Sequence, residues 1–104
     1  MSTKLAHMVY FELEDASDEK IAHQISECKK YLDDHEGLEY FAVGTVNPEL
    51  DRAVNVRDFH VSLHTVFVDR EAHDRYQVDP RHLEFIESNK ENWKNVRVFD
   101  SDLH

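Results

Sequence analysis

Residues 59–68, Phe-His-Val-Ser-Leu-His-Thr-Val-Phe-Val, decide the fold. β-Branched and aromatic side chains dominate, and alternate positions fall into two sets: Phe59, Val61, Leu63, Thr65 and Phe67 on one face, His60, Ser62, His64, Val66 and Val68 on the other. Period two with these residue types is the pattern of a strand. The first face is continuously apolar and the second only partly polar, so this strand belongs in a sheet that is covered on both sides.

Working outward, Leu38 to Val46 reads as a second strand with Gly44 marking a bulge, and Asn47-Pro48 opens a polar connection that runs through Asp58. Residues 6–14 form another strand, with His7, Val9, Phe11 and Leu13 on one face and the apolar Met8 and Tyr10 on the other. Between these two strands Ser17 is placed to cap a helix whose first turn carries Asp18 and Glu19. Ile21, Ile25, Cys28 and Leu32 recur at helical spacing until Gly37 supplies a stop. Downstream, Asp69 caps a short helix through Tyr76, and Asp79-Pro80 supplies the cap and first turn of another, carrying Leu83 and Ile86 and ending near Trp93. Asn95 to Phe99 closes as a strand with Val96 and Val98 on one face. The order β-α-β-β-α-α-β is that of the ferredoxin-like split βαβ arrangement, an α+β fold with one four-stranded antiparallel sheet and helices on one face. Those helices cover one side only. The apolar residues on the other side call for a second copy packed sheet on sheet, so a homodimer through the sheet faces is expected.

The chain has 104 residues, enough for a single domain over 1–104. Its 22 acidic against 12 basic side chains leave a net charge of −10, which repels polyanions, and no basic cluster offsets it. Nucleic acid and anionic membrane surfaces are therefore not expected partners. No stretch approaches the roughly 18 apolar residues of a membrane span, and no apolar run follows Met1-Ser2-Thr3-Lys4, so a soluble cytoplasmic protein is expected. The one cysteine, Cys28, cannot form an internal disulfide and reads as a small buried hydrophobe. The two glycines are isolated, which excludes a phosphate-cradling loop, and no cofactor is expected.

Eight histidines are the compositional surprise. His60 and His64 are four apart, but on a strand that separates them by roughly 13 Å, too far to chelate one ion. No metal-binding spacing occurs elsewhere, so no dedicated metal site is expected. His23 and His73 fall on helices among charged neighbours, His35 near a helix end and His104 at the terminus, and all four read as solvent-facing.

The blocks Ala6-His7-Met8-Val9-Tyr10-Phe11, Gly37-Leu38, Val43-Gly44, Asp58-Phe59-His60-Val61 and Tyr76-Gln77-Val78-Asp79-Pro80-Arg81-His82-Leu83-Glu84-Phe85 together resemble the stress-responsive A/B barrel domain family, also called dimeric α+β barrels. The resemblance runs over essentially the whole chain. The last block is its most specific part, except that Asp79 stands where the family usually has a histidine; were that position on the pocket rim, the carboxylate would make the pocket more acidic. The resemblance implies a dimer whose two sheets form a barrel, with a small pocket in each subunit between sheet and helices. It also extends distantly to a plant polyketide cyclase of the same fold, olivetolic acid cyclase, whose functional residues match His7, His60, Tyr76 and His82 here. On that likeness the ligand pocket is His7, His60, Tyr76 and His82. The pocket would bind a small apolar or aromatic molecule; in an enzyme, Tyr76 and His82 would be catalytic, His82 as base and Tyr76 as hydrogen-bond donor to a developing enolate in a cofactor-independent, cyclase-like lyase. Beside both readings stands a structural one, in which the imidazoles and the phenol bond one another and the backbone to close a small core.

Overall fold

The computed structural model describes residues 3–104. The elements are β1 (Lys4–Leu13), α1 (Asp18–Tyr31), β2 (Leu38–Thr45), β3 (Val61–Phe67), α2 (Arg70–Val78), α3 (Pro80–Asn89), a 3-10 turn (Lys90–Asn92) and β4 (Trp93–Leu103). The strands form one sheet in the order β2-β3-β1-β4, antiparallel throughout, as a ferredoxin-like α+β fold requires.

The local signals act through specific bonds. Ser17 Oγ accepts from the Lys20 backbone N–H at 3.3 Å, and Asp69 Oδ1 accepts from Ala72 N–H at 2.8 Å. Asp79 ends α2 and caps α3, its Oδ1 accepting from Arg81 N–H at 2.8 Å with Pro80 in the first turn. α1 stops at Tyr31, before Gly37. Its last carbonyls are met by side chains from elsewhere: His35 Nε2 lies 2.7 Å from Tyr31 O, and Arg81 Nη2 donates to Lys30 O at 2.9 Å. Gly37 still turns the chain at φ +82°, where a Cβ would lie 2.4 Å from that of Ala72. Gly44 makes no bulge; it pairs with Ser62 in register, and the irregularity falls between Leu38 and Tyr40 instead. The last helix ends at Asn89, and Trp93 begins a β4 that is longer than the apolar pair Val96 and Val98 suggested.

The helices lie on one face of the sheet. Phe11, Leu63 and Phe67 from that face pack with Cys28, Leu32 and Phe85 in one core. Burial pushes the Cys28 thiol up to about 12, so it stays protonated and unreactive. The opposite face carries Met8, Tyr10, Tyr40, Phe59 and Phe99, with the Tyr10 ring 4.9 Å from Phe59 and 5.7 Å from Phe99, both edge-on. Tyr40 and Phe99 are each 56% exposed. Phe59 belongs to this outer face and not to that of Val61, because the chain bends at His60 and the strand begins one residue later. Among the described residues no helix is long and apolar enough to cross a membrane.

Candidate functional site

Between the helix-facing side of the sheet and α2 and α3 lies an open cavity of about 370 Å³. β1 and β4 supply its floor through His7, Val9, Val96, Val98 and Asp100; α2 supplies His73, Tyr76 and Gln77; α3 supplies His82 and Phe85. The walls are mainly apolar and the polar groups few, the usual composition of a small-molecule site.

His7 sits mid-strand, flanked in register by Thr65 of β3 and Asp100 of β4. Its Nδ1 is 2.5 Å from Asp100 Oδ1. Burial depresses the His7 pKa, and the Asp100 carboxylate only partly opposes this. The imidazole is therefore neutral at pH 7, its Nδ1–H donates to Asp100, and Nε2 keeps the lone pair. Thr65 Oγ1 donates to the His7 carbonyl at 2.6 Å and fixes the backbone at this point.

Tyr76 is at the centre of a ring cluster, with centroids 6.1 Å from His7, 4.6 Å from His82, 5.0 Å from His35 and 4.9 Å from Phe67. Burial raises its pKa, so the phenol is protonated. Burial likewise lowers the His82 pKa, with the Gln77 backbone acting in the opposite direction, and His82 is neutral at pH 7. Among the described residues, Tyr76 Oη and His82 Nδ1 are the buried side-chain polar atoms left without a hydrogen-bond partner. Such atoms cost about 1–3 kcal/mol each, and here both belong to residues that line the same cavity.

The structure thus brings His7, Tyr76 and His82 together, and His60 does not join them. His60 Nδ1 accepts the Leu13 N–H at 2.9 Å, and its own N–H bonds Phe11 O at 2.8 Å, so it pins the end of β1 away from the cavity. Asp79 is also off the rim, occupied with capping; the carboxylate of the cavity is Asp100. Two of the histidines read as solvent-facing are not: the side chains of His35 and His73 are 5% and 12% exposed. His73 and Asp100 are the cavity residues that sequence reasoning missed. His73 precedes Tyr76 by three residues on α2, the spacing that shares a helix face. Asp100 carried no comparable sign, since β4 was read as ending at Phe99.

The sequence profile described as Stress responsive A/B Barrel Domain matches residues 5–103. Solved structures share the fold. A family protein with a ferredoxin-like fold from Mesorhizobium loti is 22% identical, with 95% of each chain covered and a TM-score of 0.77. A dimeric ferredoxin-like protein of unknown function from Thermobifida fusca is 15% identical over 99% of this chain and 93% of its own, with a TM-score of 0.81. A hydroxynitrile lyase from Passiflora edulis is 17% identical over 100% of this chain and 96% of its own, with a TM-score of 0.79. No curated protein matches the sequence.

Proposed function

The chain belongs to the stress-responsive A/B barrel domain family, and on that premise we propose that it is a homodimeric ligand-binding protein whose cavity takes one small apolar or aromatic molecule bearing a carbonyl or hydroxyl oxygen. The observation that carries this reading is the pair of unpartnered polar atoms, Tyr76 Oη and His82 Nδ1, in residues that line one apolar-walled space. A small turn of the two side chains toward the cavity would let one ligand oxygen satisfy both: it accepts from the phenol, and a hydroxyl can also donate to the imidazole nitrogen. A core built only for stability would have paired them with each other or with backbone.

Dimerisation rests on the outer sheet face. Tyr10, Phe59 and Phe99 form an aromatic cluster there with no covering element from the same chain, and a two-fold partner presenting the same surface would bury it. The family resemblance adds that the two sheets would close as a barrel.

A second reading, acid–base catalysis, is favoured by a separate observation: two neutral imidazoles, His7 and His82, flank a protonated phenol in a partly desolvated site. In that reading His82 takes an acidic proton next to a carbonyl, and the Tyr76 hydroxyl donates to the enolate oxygen that forms.

Acetophenone and 4-hydroxyacetophenone serve as probes, titrated into the full chain and followed by NMR. Saturable shifts at Tyr76 and His82, weakened roughly tenfold by Tyr76→Phe but not by His60→Ala, support the binding site. Absence of saturation with either probe at millimolar concentration contradicts it. Exchange of the probe's methyl protons with solvent deuterium, lost in His82→Ala, supports catalysis; an unchanged exchange rate in that variant removes it.

A further inference from the structure

No metal-ligand spacing is legible along the chain, yet the fold brings together possible donor groups from three separate elements. His7 of β1, His73 of α2 and Asp100 of β4 each offer one donor atom, and these atoms all lie within 4.8 Å of one another at the edge of the cavity. We propose that His7, His73 and Asp100 form a binding site for one divalent transition-metal ion of the zinc type, with its remaining coordination position open to the cavity.

The donor set suits such an ion. Two imidazoles and one carboxylate leave a fourth position free, the arrangement of zinc sites that keep a place for water or ligand, and bonds of about 2.0–2.2 Å put tetrahedral donors roughly 3.3 Å apart. From within 4.8 Å of one another, the three atoms would have to close by at most about 1.5 Å to reach that spacing. His7 Nδ1, now donating its proton to Asp100 Oδ1 across 2.5 Å, would open slightly from it as the ion takes that proton's place, the imidazole staying neutral by carrying its proton on Nε2.

The surroundings prepare the same site. Asp74 Oδ1 lies 3.0 Å from His73 Nδ1 and is itself held by Arg70 at 2.9 Å. A carboxylate on one imidazole nitrogen fixes the tautomer that leaves the lone pair on the other, which is the second layer found behind metal-bound histidines; here that nitrogen, Nε2, lies 3.3 Å from the Gln77 side-chain amide nitrogen, a donor that an incoming ion would displace. The Asp74 charge offsets that of Arg70, so the guanidinium does not leave a bare positive charge facing the site. The Asp100 side chain is 45% exposed, which gives an ion a way in, whereas His7 is 6% exposed and already positioned by the sheet. The His7 and His73 rings are 5.0 Å apart and edge-on, with Phe67 packed on both, so neither has to be ordered from solvent when the ion binds.

An ion here would sit beside Tyr76 and polarise an oxygen placed in the cavity. The site does not depend on the proposed organic ligand: metal uptake requires neither that molecule nor turnover, so the two ideas fail separately.

The test uses the full chain, freed of metal by chelator and titrated with zinc chloride by calorimetry, and with cobalt(II) followed in visible absorption. The expected result is one tightly bound ion per chain, with cobalt showing the strong bands of a low-coordinate site. His73→Ala and Asp100→Asn should each weaken uptake roughly tenfold or more, while His23→Ala and His104→Ala leave it unchanged. Zinc should also shift the ring NMR signals of His7 and His73 in the unmutated protein, a readout independent of whether a variant folds. No saturable uptake, uptake equal in the His73 and Asp100 variants, or shifts confined to other histidines would overturn the site.

Discussion

The two faces of the sheet are incomplete in opposite ways. On the helix-covered face the apolar groups are packed and what lacks a partner is polar: Tyr76 Oη and His82 Nδ1, buried atoms of two residues that line a cavity of about 370 Å³. On the outer face the backbone is paired through the ladders and what lacks cover is apolar: the cluster of Tyr10, Phe59 and Phe99, and separately Tyr40 on β2. A surface short of hydrogen bonds inside a cavity suits a small polar-tipped molecule, whereas a broad aromatic surface suits a matching protein face. The sheet of one small chain thus separates two kinds of incompletely satisfied surface by side-chain alternation.

The contrast can be broken from either side. The largest effect belongs to the packed face. Phe67 is fully buried against Tyr76, and Phe67→Ala should destabilise the fold by about 3–5 kcal/mol in urea unfolding; a loss below about 1 kcal/mol would mean that this face is not the core. Phe99→Asp acts on the outer face. It should leave far-UV circular dichroism unchanged but weaken self-association by roughly 100-fold in sedimentation experiments, since it places an unpaired charge in the centre of the apolar patch. A wild-type chain that sediments as a monomer at micromolar concentration would refute the dimer outright.

Asp79→Ala tests whether that carboxylate serves structure instead of the cavity: the loss of its cap should cost about 1 kcal/mol in unfolding, with no change in probe binding. A pH profile sharpens the reading of the cavity. The pKa values of His7 and His82 are lowered by folding, so below about 6.5 the unfolded chain binds protons that the folded chain resists, and stability falls as the pH drops through that range. Melting temperatures measured from pH 7.5 to pH 5 should decline, and the decline should be shallower in His82→Leu. The smallest effect is the most telling. Tyr76→Phe removes a hydroxyl that has no partner, so stability should be unchanged or rise by up to about 1 kcal/mol while probe binding weakens. A large destabilisation would show that the hydroxyl serves the fold.

Most of the architecture was legible because its signals are local. The caps at Ser17, Asp69 and Asp79 act on backbone N–H groups two or three residues away, and each appears where its residue type and the following pattern put it. The faces of β1 follow from strict alternation, and those apolar on both sides already pointed to a second covering layer. Of the expected site residues, which rest on family resemblance, His7, Tyr76 and His82 line one cavity. His60 came into the expected pocket by the same resemblance, whereas its contacts are with the end of β1, where it bonds Leu13; the bend at the head of β3 instead breaks the alternation expected of Phe59, which turns to the outer face.

By itself, then, the sequence determined the order of elements, their ends and the two-faced character of the central strands, since period, capping and turn chemistry are read within a few residues. The tertiary structure alone decided which polar groups meet. The contact between His7 and Asp100 spans 93 positions and exists because the β1–β4 register sets them side by side, and His73 reaches the same point only because α2 packs over that end of the sheet. Such meetings depend on register and docking, quantities that a one-residue change can invert and that local pattern does not encode.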